Sequence, residues 1–488
     1  MLTEIRTNIL RPNWFALVKW FTAIWGLLFL LSGCNETNPD LKPNVLLICV
    51  DDLRPELQSF GAPYISSLHI DKLAQKGMAF QRHYVNAPSC GPSRYTLLTG
   101  RYGPATNDAL FQRAQWLQDS AIKTNPSMPE WFKLHGYTTV SVGKVSHHPG
   151  GRGGKDWNDS TLIEMPHAWD RHLMPVGPWR HPRGAMHGLA NGEIRTKADE
   201  MDVYQSAEGE DVIYPDDLIT AEALNQLQAL TTKKDQPFFL AVGIIKPHLP
   251  FGAPKSYYEA YQDVSLPKIP HPEKPEGRTT WHRSHEFMKY NRWGKDPNTD
   301  SIFAAEVRRH YAACVSYADA QVGKILAELK RTGADKNTIV VLWGDHGWHL
   351  GEHAIWGKHS LFEESLRSPL IIFDPTDVST PQHIDNIVET LDIFPTLCEM
   401  TGIGIPDFAQ GSSLKPLFSG QNVEKKTAIA YTSKAKTIRT ETHRLVLHDD
   451  GYVELYDHST TGDETINNAE AQEDLVNALT GLLIAKRP

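Results

Sequence analysis

The sequence predicts an α/β fold around a mostly parallel sheet, and three features of the chain indicate it. Short apolar runs without polar alternation recur along the chain, as in strands that are buried on both faces. Segments with helical spacing separate these runs. Two of the runs end in carboxylates, one at Asp51 and Asp52 and the other at Asp345. Since ligands of such sheets gather at the carboxyl ends of strands, we expect these two ends to converge.

The individual elements follow from the local pattern, taken in chain order. Residues 70–76 have helical spacing with Gly77 as a stop signal, and residues 311–329 predict a long helix. The predicted strands are residues 44–50, 138–142, 237–242, 338–343 and 369–373. Apolar strands separated by helices are typical of a sheet that is covered on both faces.

Three regions depart from this alternation. Residues 149–217 and 267–300 have little periodicity, and structureless stretches of such length are usually functional loops. From about residue 422 the pattern changes to a predicted hairpin, 444–448 with 453–457, and a predicted helix over 474–485. The sequence therefore predicts a main domain over 43–424 and a small α+β subdomain over 425–488.

Composition and charge exclude several classes of protein. The chain has 488 residues, of which 40% are apolar and 22% charged, so disordered, collagen-like and coiled-coil proteins are excluded. The formal net charge of -9 leaves no basic footprint for nucleic acid over the whole chain. An anionic ligand must therefore be met by local positive charge.

The first 42 residues predict export and attachment to a membrane. Basic residues up to Lys19 precede an apolar run over 20–31 and then Ser32, Gly33 and Cys34, as in a signal peptide over 1–33. The residues before Cys34 resemble the lipobox of bacterial lipoproteins, in which the cysteine carries a lipid. Residues 34–42 would then be a tether, and the protein would lie lipid-anchored in a bacterial cell envelope. The alternative is an ordinary signal peptide with an incidental cysteine.

The remaining cysteines divide into two kinds. Cys49, Cys314 and Cys398 lie in apolar patterns and are predicted to be core residues. Cys90 lies among Pro, Ser and Gly at the predicted start of a helix, with Arg94 in the first turn. A helix N-terminus favours bound anions and a lowered thiol pKa. These residues predict a nucleophilic or modified cysteine beside an anion site, with a packed turn cysteine as the alternative.

The acidic strand ends predict a metal site. Asp51, Asp52, Asp345 and the adjacent His346 supply three carboxylates and one imidazole. Hard oxygen ligands in that number suit Ca²⁺ or Mg²⁺ better than zinc, and Ca²⁺ is the preferred choice. Either pair alone would be explained better by the capping of a helix or turn, and only the two pairs together predict a metal site.

The segment around Cys90 resembles the signature of a known family. Cys90-x-Pro92-Ser93-Arg94, followed by Leu-Thr-Gly-Arg at 98–101, is similar to the motif of the formylglycine-dependent type I sulfatases, in which the cysteine is oxidised to formylglycine. Within that family the chain resembles the iduronate-2-sulfatase branch and its bacterial polysaccharide-degrading relatives. The further stretches that carry the resemblance are residues 50–55, 142–147, 246–251 and 343–353, and Lys358.

The resemblance implies an alkaline-phosphatase-like fold and a sulfate ester hydrolase. Cys90 would be matured by a formylglycine-generating or anaerobic sulfatase-maturating enzyme, and the reaction would be a double displacement. His248 would protonate the leaving oxygen, and His147 would take a proton so that the aldehyde forms again. By position, the residues that would ligate Ca²⁺ are Asp51, Asp52, Asp345, His346 and the modified Cys90. Those that would surround the sulfate are Arg94, Lys144, His147, His248 and Lys358.

The substrate is expected to be a sulfated polysaccharide or oligosaccharide that contains a uronate, with an algal glycan such as ulvan preferred. The segment 149–217 contains a basic cluster that would suit a uronate or a second sulfate, formed by Arg180, His181, Arg183 and His187. Trp348 matches a position near the substrate, although a buried tryptophan that anchors the loop explains it equally well. The competing hypotheses are a metal-dependent phosphatase or phosphonate monoester hydrolase of the same superfamily and an inactive glycan-binding lipoprotein.

Overall fold

An eight-stranded mixed sheet carries the candidate site. In the computed structural model, the residues described are 42–119, 124–149, 163–180, 182–195, 197–209, 212–376, 382–421, 427–460 and 462–486. The strands are β1 (Asn44–Val50), β2 (Met78–Tyr84), β3 (Thr138–Gly143), β4 (Arg171–Leu173), β5 (Tyr204–Ala207), β6 (Phe238–Ile244), β7 (Phe251–Pro254), β8 (Thr338–Gly344), β9 (His349–Leu350), β10 (Trp356–Gly357), β11 (Leu370–Phe373), β12 (Gln382–Glu389), β13 (Ala428–Tyr431), β14 (Ala435–Arg439), β15 (His443–His448) and β16 (Val453–Asp457). The order in the large sheet is β12-β2-β11-β8-β1-β6-β3-β4.

The sheet is mostly parallel, as predicted. Strands β8, β1, β6, β3 and β4 pair in parallel, β12 pairs with β2 in parallel, and β11 is antiparallel to both of its neighbours. In β1, Leu46 and Ile48 enter one hydrophobic core while Val45, Leu47 and Cys49 enter the other. A strand that is apolar at every position therefore fills both layers, because successive side chains point to opposite faces.

Helices cover both faces of this sheet. The helices are α1 (Leu68–Ala74), α2 (Cys90–Thr99), α3 (Ala109–Gln118), α4 (Met128–Leu134), α5 (Pro182–His187), α6 (Pro215–Thr231), α7 (Lys255–Glu259), α8 (Ser301–Arg331), α9 (Glu363–Leu366), α10 (Ile393–Met400), α11 (Lys415–Phe418) and α12 (Glu473–Lys486). The long helix α8 begins at Asp300, whose side chain accepts a hydrogen bond from the Phe303 N–H at 2.9 Å. It packs against α1, α6 and α7.

The C-terminal part is the expected α+β unit. Strands β13 to β16 form a four-stranded antiparallel sheet, and α12 packs against β14 and β15. The predicted hairpin corresponds to β15 and β16, in which Leu445 pairs with Leu455. Both leucines are buried with Leu479 and Leu483 of α12. This small core explains why helical spacing returns near the end of the sequence.

Three expectations differ from the structure. The helix predicted over 311–329 is longer, since it starts at Ser301. Strands β2 and β12 were not predicted, because polar residues interrupt their apolar pattern. The segment 149–217 is not without regular structure, since its described residues include β4, β5 and α5.

The remaining predictions concern the N-terminal residues and the cysteines. The signal peptide, Cys34 and nearly all of the tether lie outside the described residues. No helix in the part of the chain that the structure describes is long and apolar enough to cross a membrane. Cys49, Cys314 and Cys398 are buried and free, which confirms their assignment to the core.

Candidate active site

Two neighbouring strands bring the predicted carboxylates together. Strands β1 and β8 pair in parallel, with Val50 opposite Gly344, so Asp51, Asp52, Asp345 and His346 follow at the same edge. All four of these side chains are fully buried. The backbone N–H of Asp52 donates to Asp345 Oδ1 at 2.9 Å, and His346 Nε2 lies 3.2 Å from Asp52 Oδ1. The predicted convergence of the two strand ends is confirmed.

Cys90 is the first residue of α2 and points at this group. Its Sγ lies 3.3 Å from His346 Nε2, 3.2 Å from Lys358 Nζ and 3.9 Å from Asp52 Oδ1. The next residue, Gly91, packs so tightly that an added Cβ would collide with the backbone of Asn107. The Gly91 N–H donates to the Asn107 side-chain oxygen at 3.1 Å. The close contact between Gly91 and Asn107 fixes where helix α2 begins.

Three cationic side chains contact the carboxylates. Arg94 donates through Nη2 to Asp51 at 2.9 Å and through Nε to Asp345 at 3.1 Å, and it is fully buried. Lys144 forms an ion pair with Asp51. Lys358 Nζ lies 2.8 Å from Asp52 Oδ1. Arg94 therefore lies behind the carboxylates, where it positions them, and it is not among the described residues that line the adjoining cavity.

Burial and these ion-pair partners shift the pKa values of the buried acidic groups in different directions. Burial raises the pKa of Asp52 to about 6 and that of Asp345 to about 7. Burial also acts on Asp51, but Lys144 and Arg94 together hold the pKa of that carboxyl well below its usual range. The pKa of the Cys90 thiol is raised by burial and by Asp51. The expected lowering of this pKa at a helix N-terminus is therefore wrong, because burial and Asp51 outweigh Lys358 and Lys144 in this structure.

The donor set fits a divalent cation. Asp52 Oδ2 is buried and has no hydrogen-bond partner. The carbonyl of Gly347 lies 2.9 Å from His346 Nδ1, so that nitrogen carries the proton and Nε2 is free to bind a metal. Ligand atoms of Asp51, Cys90, Asp345 and His346 all lie within 4.8 Å of one another. A hard cation held by these oxygens would offset the buried negative charge.

A cavity of about 300 Å³ opens above Cys90. Glu286 lies on its wall with Oε1 3.9 Å from His248 Nε2 and Oε2 3.8 Å from Lys358 Nζ. The residues that line the cavity are Cys90, Asn107, His147, His248, His285, Glu286, Lys289, Lys358 and His359. The structure thus brings His147, His248 and Lys358 to one opening, as expected from the sequence.

His147 and His248, two of the four histidines among the described cavity residues, are neutral in this state. Burial, followed by Lys144, lowers the pKa of both His147 and His248 well below the usual value. The Nδ1 of His248 lies 2.6 Å from the Leu249 carbonyl and carries the proton, so Nε2 faces Glu286 with its lone pair. Each imidazole can therefore accept a proton at the cavity.

Neither Trp348 nor Arg180 is among the described residues that line the cavity. Trp348 is fully buried, its ring packs against Phe251, and Lys358 Nζ lies 5.3 Å from its centroid. The structure thus places Trp348 as a buried residue that anchors the loop. Arg180 is exposed and is not among the described cavity residues, while His181 lies outside the described residues.

Sequence reasoning missed several cavity residues. Glu286, His285 and Lys289 come from the segment 267–300, which carries no periodic pattern and was recognised only as a functional loop. Asn107 follows α2 in a turn. The available signal was the density of charged and imidazole side chains in the aperiodic segment.

Two family models match the chain. The sulfatase family model matches residues 43–403, and the model for the C-terminal part of N-sulphoglucosamine sulphohydrolase matches residues 351–487. The chain belongs to the sulfatase family. As a sulfatase it is a sulfuric ester hydrolase, and its fold has the expected alkaline-phosphatase-like architecture.

Curated relatives cover most of this sulfatase. Iduronate 2-sulfatase of Homo sapiens is 31% identical over 425 residues, which are 77% of this chain and 71% of that protein. A sulfatase of Formosa agariphila is 31% identical over 456 residues, which are 88% of this chain and 83% of that protein. The resemblance to iduronate-2-sulfatase and to bacterial sulfatases is confirmed.

Solved structures share the fold of this sulfatase. A protein in complex with its substrate D-glucosamine-2-N,6-O-disulfate has a TM-score of 0.70 at 20% identity, covering 91% of this chain and 97% of that chain. The phosphonate monoester hydrolase of Agrobacterium radiobacter also has a TM-score of 0.70, at 23% identity, covering 91% of this chain and 95% of that chain. At such identities the likeness shows the fold alone.

Proposed function

We propose that this sulfatase removes sulfate from a uronate-containing polysaccharide or oligosaccharide through a formylglycine made from Cys90 and a bound Ca²⁺. The observation that carries the proposal is the position of Cys90 Sγ, 3.3 Å from His346 Nε2 and 3.2 Å from Lys358 Nζ at the floor of the cavity. A nucleophile at this atom would stand between a metal ligand and an ammonium group. That arrangement favours attack on an anionic ester.

The cation would be held by Asp51, Asp52, Asp345 and His346. When bound, it would supply positive charge to the sulfate oxygens and promote loss of a proton from the nucleophilic hydroxyl of residue 90. Oxygen donors predominate in this set, which supports Ca²⁺, with Mg²⁺ as the second choice. The unpartnered Asp52 Oδ2 is the donor that most directly supports a cation here.

The cavity side chains would share the remaining work. Lys358 would stabilise the negative charge that grows as the sulfur–oxygen bond breaks, since its Nζ already lies beside residue 90. His248, after taking up a proton from solvent at Nε2, would donate that proton to the leaving oxygen, with Glu286 favouring the protonated ring. His147, whose buried Nδ1 has no hydrogen-bond partner, would accept a proton from residue 90. Lys144 would keep Asp51 ionised for the metal.

The surroundings of the cavity support an acidic glycan as substrate. Lys289, His285 and His359 place positive or protonatable groups at its mouth. A groove of about 870 Å³ continues from there and shares Asn107, His285 and His359 with the cavity. The groove also contains Trp281, whose ring centroid lies 4.5 Å from the Lys274 ammonium, and Arg278, which pairs with Asp450 at 2.6 Å. A sugar ring that stacks on Trp281 or a substrate carboxylate that binds Arg278 would displace these partners.

The test is inorganic sulfate release from ulvan, heparan, chondroitin and carrageenan oligosaccharides by enzyme coexpressed with a formylglycine-generating enzyme. We expect release from uronate-containing substrates that vanishes in Cys90→Ala and after calcium chelation. Lys289→Ala should raise KM for the uronate substrate, while the exposed Lys268→Ala serves as the matched control. Equal release from neutral sugar sulfates would contradict the uronate subsite.

A phosphonate monoester hydrolase remains the second candidate. The multifunctional alkaline phosphatase superfamily protein PehA of Trinickia caryophylli is 25% identical over 436 residues, 80% of each chain. Phenyl phosphonate esters and phosphate monoesters belong in the same panel. Release from these esters with silence on every sulfated glycan, in protein whose residue 90 is verified as formylglycine, would favour the second candidate.

We also propose a lipid anchor on Cys34 and a location in the bacterial cell envelope. The support is the apolar run over 20–31 followed by Ser, Gly and Cys. Intact-mass analysis of membrane-extracted protein should show a diacylglyceryl group on Cys34 as the first residue. A mature chain without lipid on that residue would contradict the anchor.

A further inference from the structure

A second cluster of metal-ligating side chains lies outside the active site, on the loop that follows β8. His349 Nε2 lies 3.4 Å from Glu364 Oε2, and His353 Nδ1 lies 3.6 Å from the same oxygen. The three atoms all lie within 4.8 Å of one another. The imidazoles of His349 and His353 are fully buried or nearly so, with 0% and 1% exposure, and Glu364 closes the cluster toward solvent.

Hydrogen bonds orient both rings and leave the three facing atoms without partners. The Nε2 of His353 lies 2.9 Å from the Asp463 carbonyl, which can only accept, so Nε2 carries the proton. The Nδ1 of His349 lies 3.1 Å from the hydroxyl of Ser365. His349 Nε2, His353 Nδ1 and Glu364 Oε2 are buried and make no hydrogen bond. The bare His353 Nδ1 thus faces a carboxylate oxygen, and His349 Nε2 does so as well when its Nδ1 donates to Ser365, an arrangement that a cation between the three atoms would satisfy.

We propose that His349, His353 and Glu364 form a binding site for a divalent metal ion of the zinc class, separate from the catalytic cation. Two imidazoles and one carboxylate are ligands that Zn²⁺ prefers, whereas Ca²⁺ prefers oxygens. Bonds of about 2.0–2.2 Å in a tetrahedral site place ligand atoms about 3.4 Å apart, which is the spacing found between Glu364 and the imidazoles. Each ring is also held through its other nitrogen, as metal-binding histidines usually are.

A neighbouring cluster of the same composition shows the contrast. Glu363, His458 and Glu464 also bring three ligand atoms together. There, however, Arg444 contacts Glu363 Oε2 at 2.5 Å and forms an ion pair with Glu464. The guanidinium already supplies the positive charge. The cluster of His349, His353 and Glu364 receives no arginine or lysine in the salt bridges of the described residues.

The proposed site would join the two ends of one loop. His349 is in β9 and Glu364 is in α9, and Lys358 lies on the chain between them. Lys358 lies on this loop and contacts Asp52 and Cys90. A metal at this point would hold the loop, and with it Lys358, in position. The role is structural: the ion would stabilise the position of Lys358 and take no part in the chemistry.

The experiment measures zinc bound per chain. Cys90→Ala protein, which lacks the active-site thiol, is incubated with ZnSO₄ in excess CaCl₂, desalted and analysed for both metals. His349→Ala and Glu364→Gln in that background should each bind one zinc fewer, whereas His458→Ala, from the arginine-filled cluster, should bind as much as the parent protein. Equal zinc content in all four proteins would overturn the proposal.

Crystals soaked in zinc provide a second measurement that does not depend on the variants. Data collected above and below the zinc absorption edge should show an anomalous peak about 2.0–2.2 Å from His349 Nε2, His353 Nδ1 and a Glu364 oxygen. The same zinc should raise the melting temperature of the parent but not of Glu364→Gln. If no anomalous peak appears at saturating zinc, the cluster is a contact between a protonated imidazole and a carboxylate, and the proposal is wrong.

Discussion

Lys358 donates to Asp52 at 2.8 Å while the same ammonium lies 3.2 Å from Cys90 Sγ. One side chain thus links a proposed metal ligand to the proposed nucleophile. Burial opposes the charge on Lys358, but Asp52, Cys90 and Glu286 together raise the pKa of its ammonium well above the usual value. The Lys358 side chain is therefore a cation at neutral pH.

Loss of this ammonium should affect turnover more than binding. We expect Lys358→Ala to lower kcat by about 10²–10³-fold, because charge stabilisation in a buried site acts mainly on the transition state. The matched control is Lys336→Ala, which removes an exposed lysine. Steady-state kinetics on a sulfated oligosaccharide check this. A variant with a raised KM and unchanged kcat would assign Lys358 to substrate binding only.

Substitutions of Cys90 should distinguish a role as nucleophile from a purely structural role. Cys90→Ala should abolish turnover, a loss of at least about 10³-fold, because no atom remains to attack sulfur. Cys90→Ser should release at most one product molecule per chain, since a serine sulfate has no second hydroxyl to expel the sulfate. Single-turnover and multiple-turnover assays distinguish these outcomes.

Cys398→Ala is the control for the loss of a buried sulfur. It should retain turnover per folded molecule, because Cys398 is a free core residue on α10. Sustained turnover by Cys90→Ser would contradict the double displacement.

Cation affinity should rise with pH. Burial raises the pKa of Asp52 to about 6 and that of Asp345 to about 7, and only the ionised carboxylates bind metal. Protons therefore compete below these values, so calcium should bind more weakly at pH 5.5 than at pH 8. Isothermal titration calorimetry in buffers of different ionisation enthalpy checks both the affinity and the protons released. The same affinity at both pH values would contradict the site.

Glu286 should influence the pH profile through His248. Its carboxylate lies 3.9 Å from His248 Nε2 and favours the protonated ring. Burial, Lys144 and Lys358 act in the opposite direction and outweigh it, so the pKa of His248 is lowered overall. Glu286→Gln removes this support, so the alkaline limb of kcat should move to lower pH. We expect kcat at neutral pH to fall by about 10–10²-fold. An unchanged limb would mean that another group protonates the leaving oxygen.

The ion pair of Arg444 with Glu464 should contribute strongly to stability. Arg444 and Glu464 are both about 1% exposed. Arg444→Met would leave Glu464 with only His458 and Glu363 with only the more distant Arg439 as ion-pair partners, at a cost of about 3 kcal/mol. Arg331→Met is the control, because its ion pair with Glu328 leaves the arginine 62% exposed and should cost less than about 1 kcal/mol. Urea denaturation measures both values.

The cost of Arg444→Met should depend on pH. Although burial opposes it, Arg444 lowers the pKa of Glu363 to about 2 from an ordinary value of 4.5, and it also lowers the pKa of Glu464. A lowered folded-state pKa gives stability that is complete above the unfolded value and is lost as pH falls through the folded value. The difference between wild type and variant should therefore shrink between about pH 4.5 and pH 2. A constant difference would mean that packing accounts for it.

The main strands of the large sheet were predictable because burial on both faces leaves only apolar residues. That rule identified β1, β6 and β8 and placed Asp51 and Asp345 together, since parallel neighbours end at one edge. It failed for β2 and for the edge strand β12, where polar residues enter the pattern. An edge strand needs fewer apolar side chains because it is covered less completely.

The site was predictable where motifs specify residue types. It was less predictable where the tertiary structure determines the burial and the contacts of a side chain. Cys90 was assigned from its neighbours, but its pKa depends on burial that local sequence does not reveal. Glu286 lies in a segment without periodicity, so only folding brings it to His248. Arg94 fits the motif, yet its position behind the carboxylates depends on the depth of α2 in the core.

The burial of Cys90 has a consequence for the order of events during biosynthesis. Only 2% of the residue is exposed, and α2 is buried along its whole length. An enzyme that oxidised this cysteine would have to reach its Sγ, which the folded protein encloses. Maturation would therefore have to take place on the nascent or still unfolded chain. The time available would be set by how fast the first hundred residues pack against the strands that follow them in the sequence.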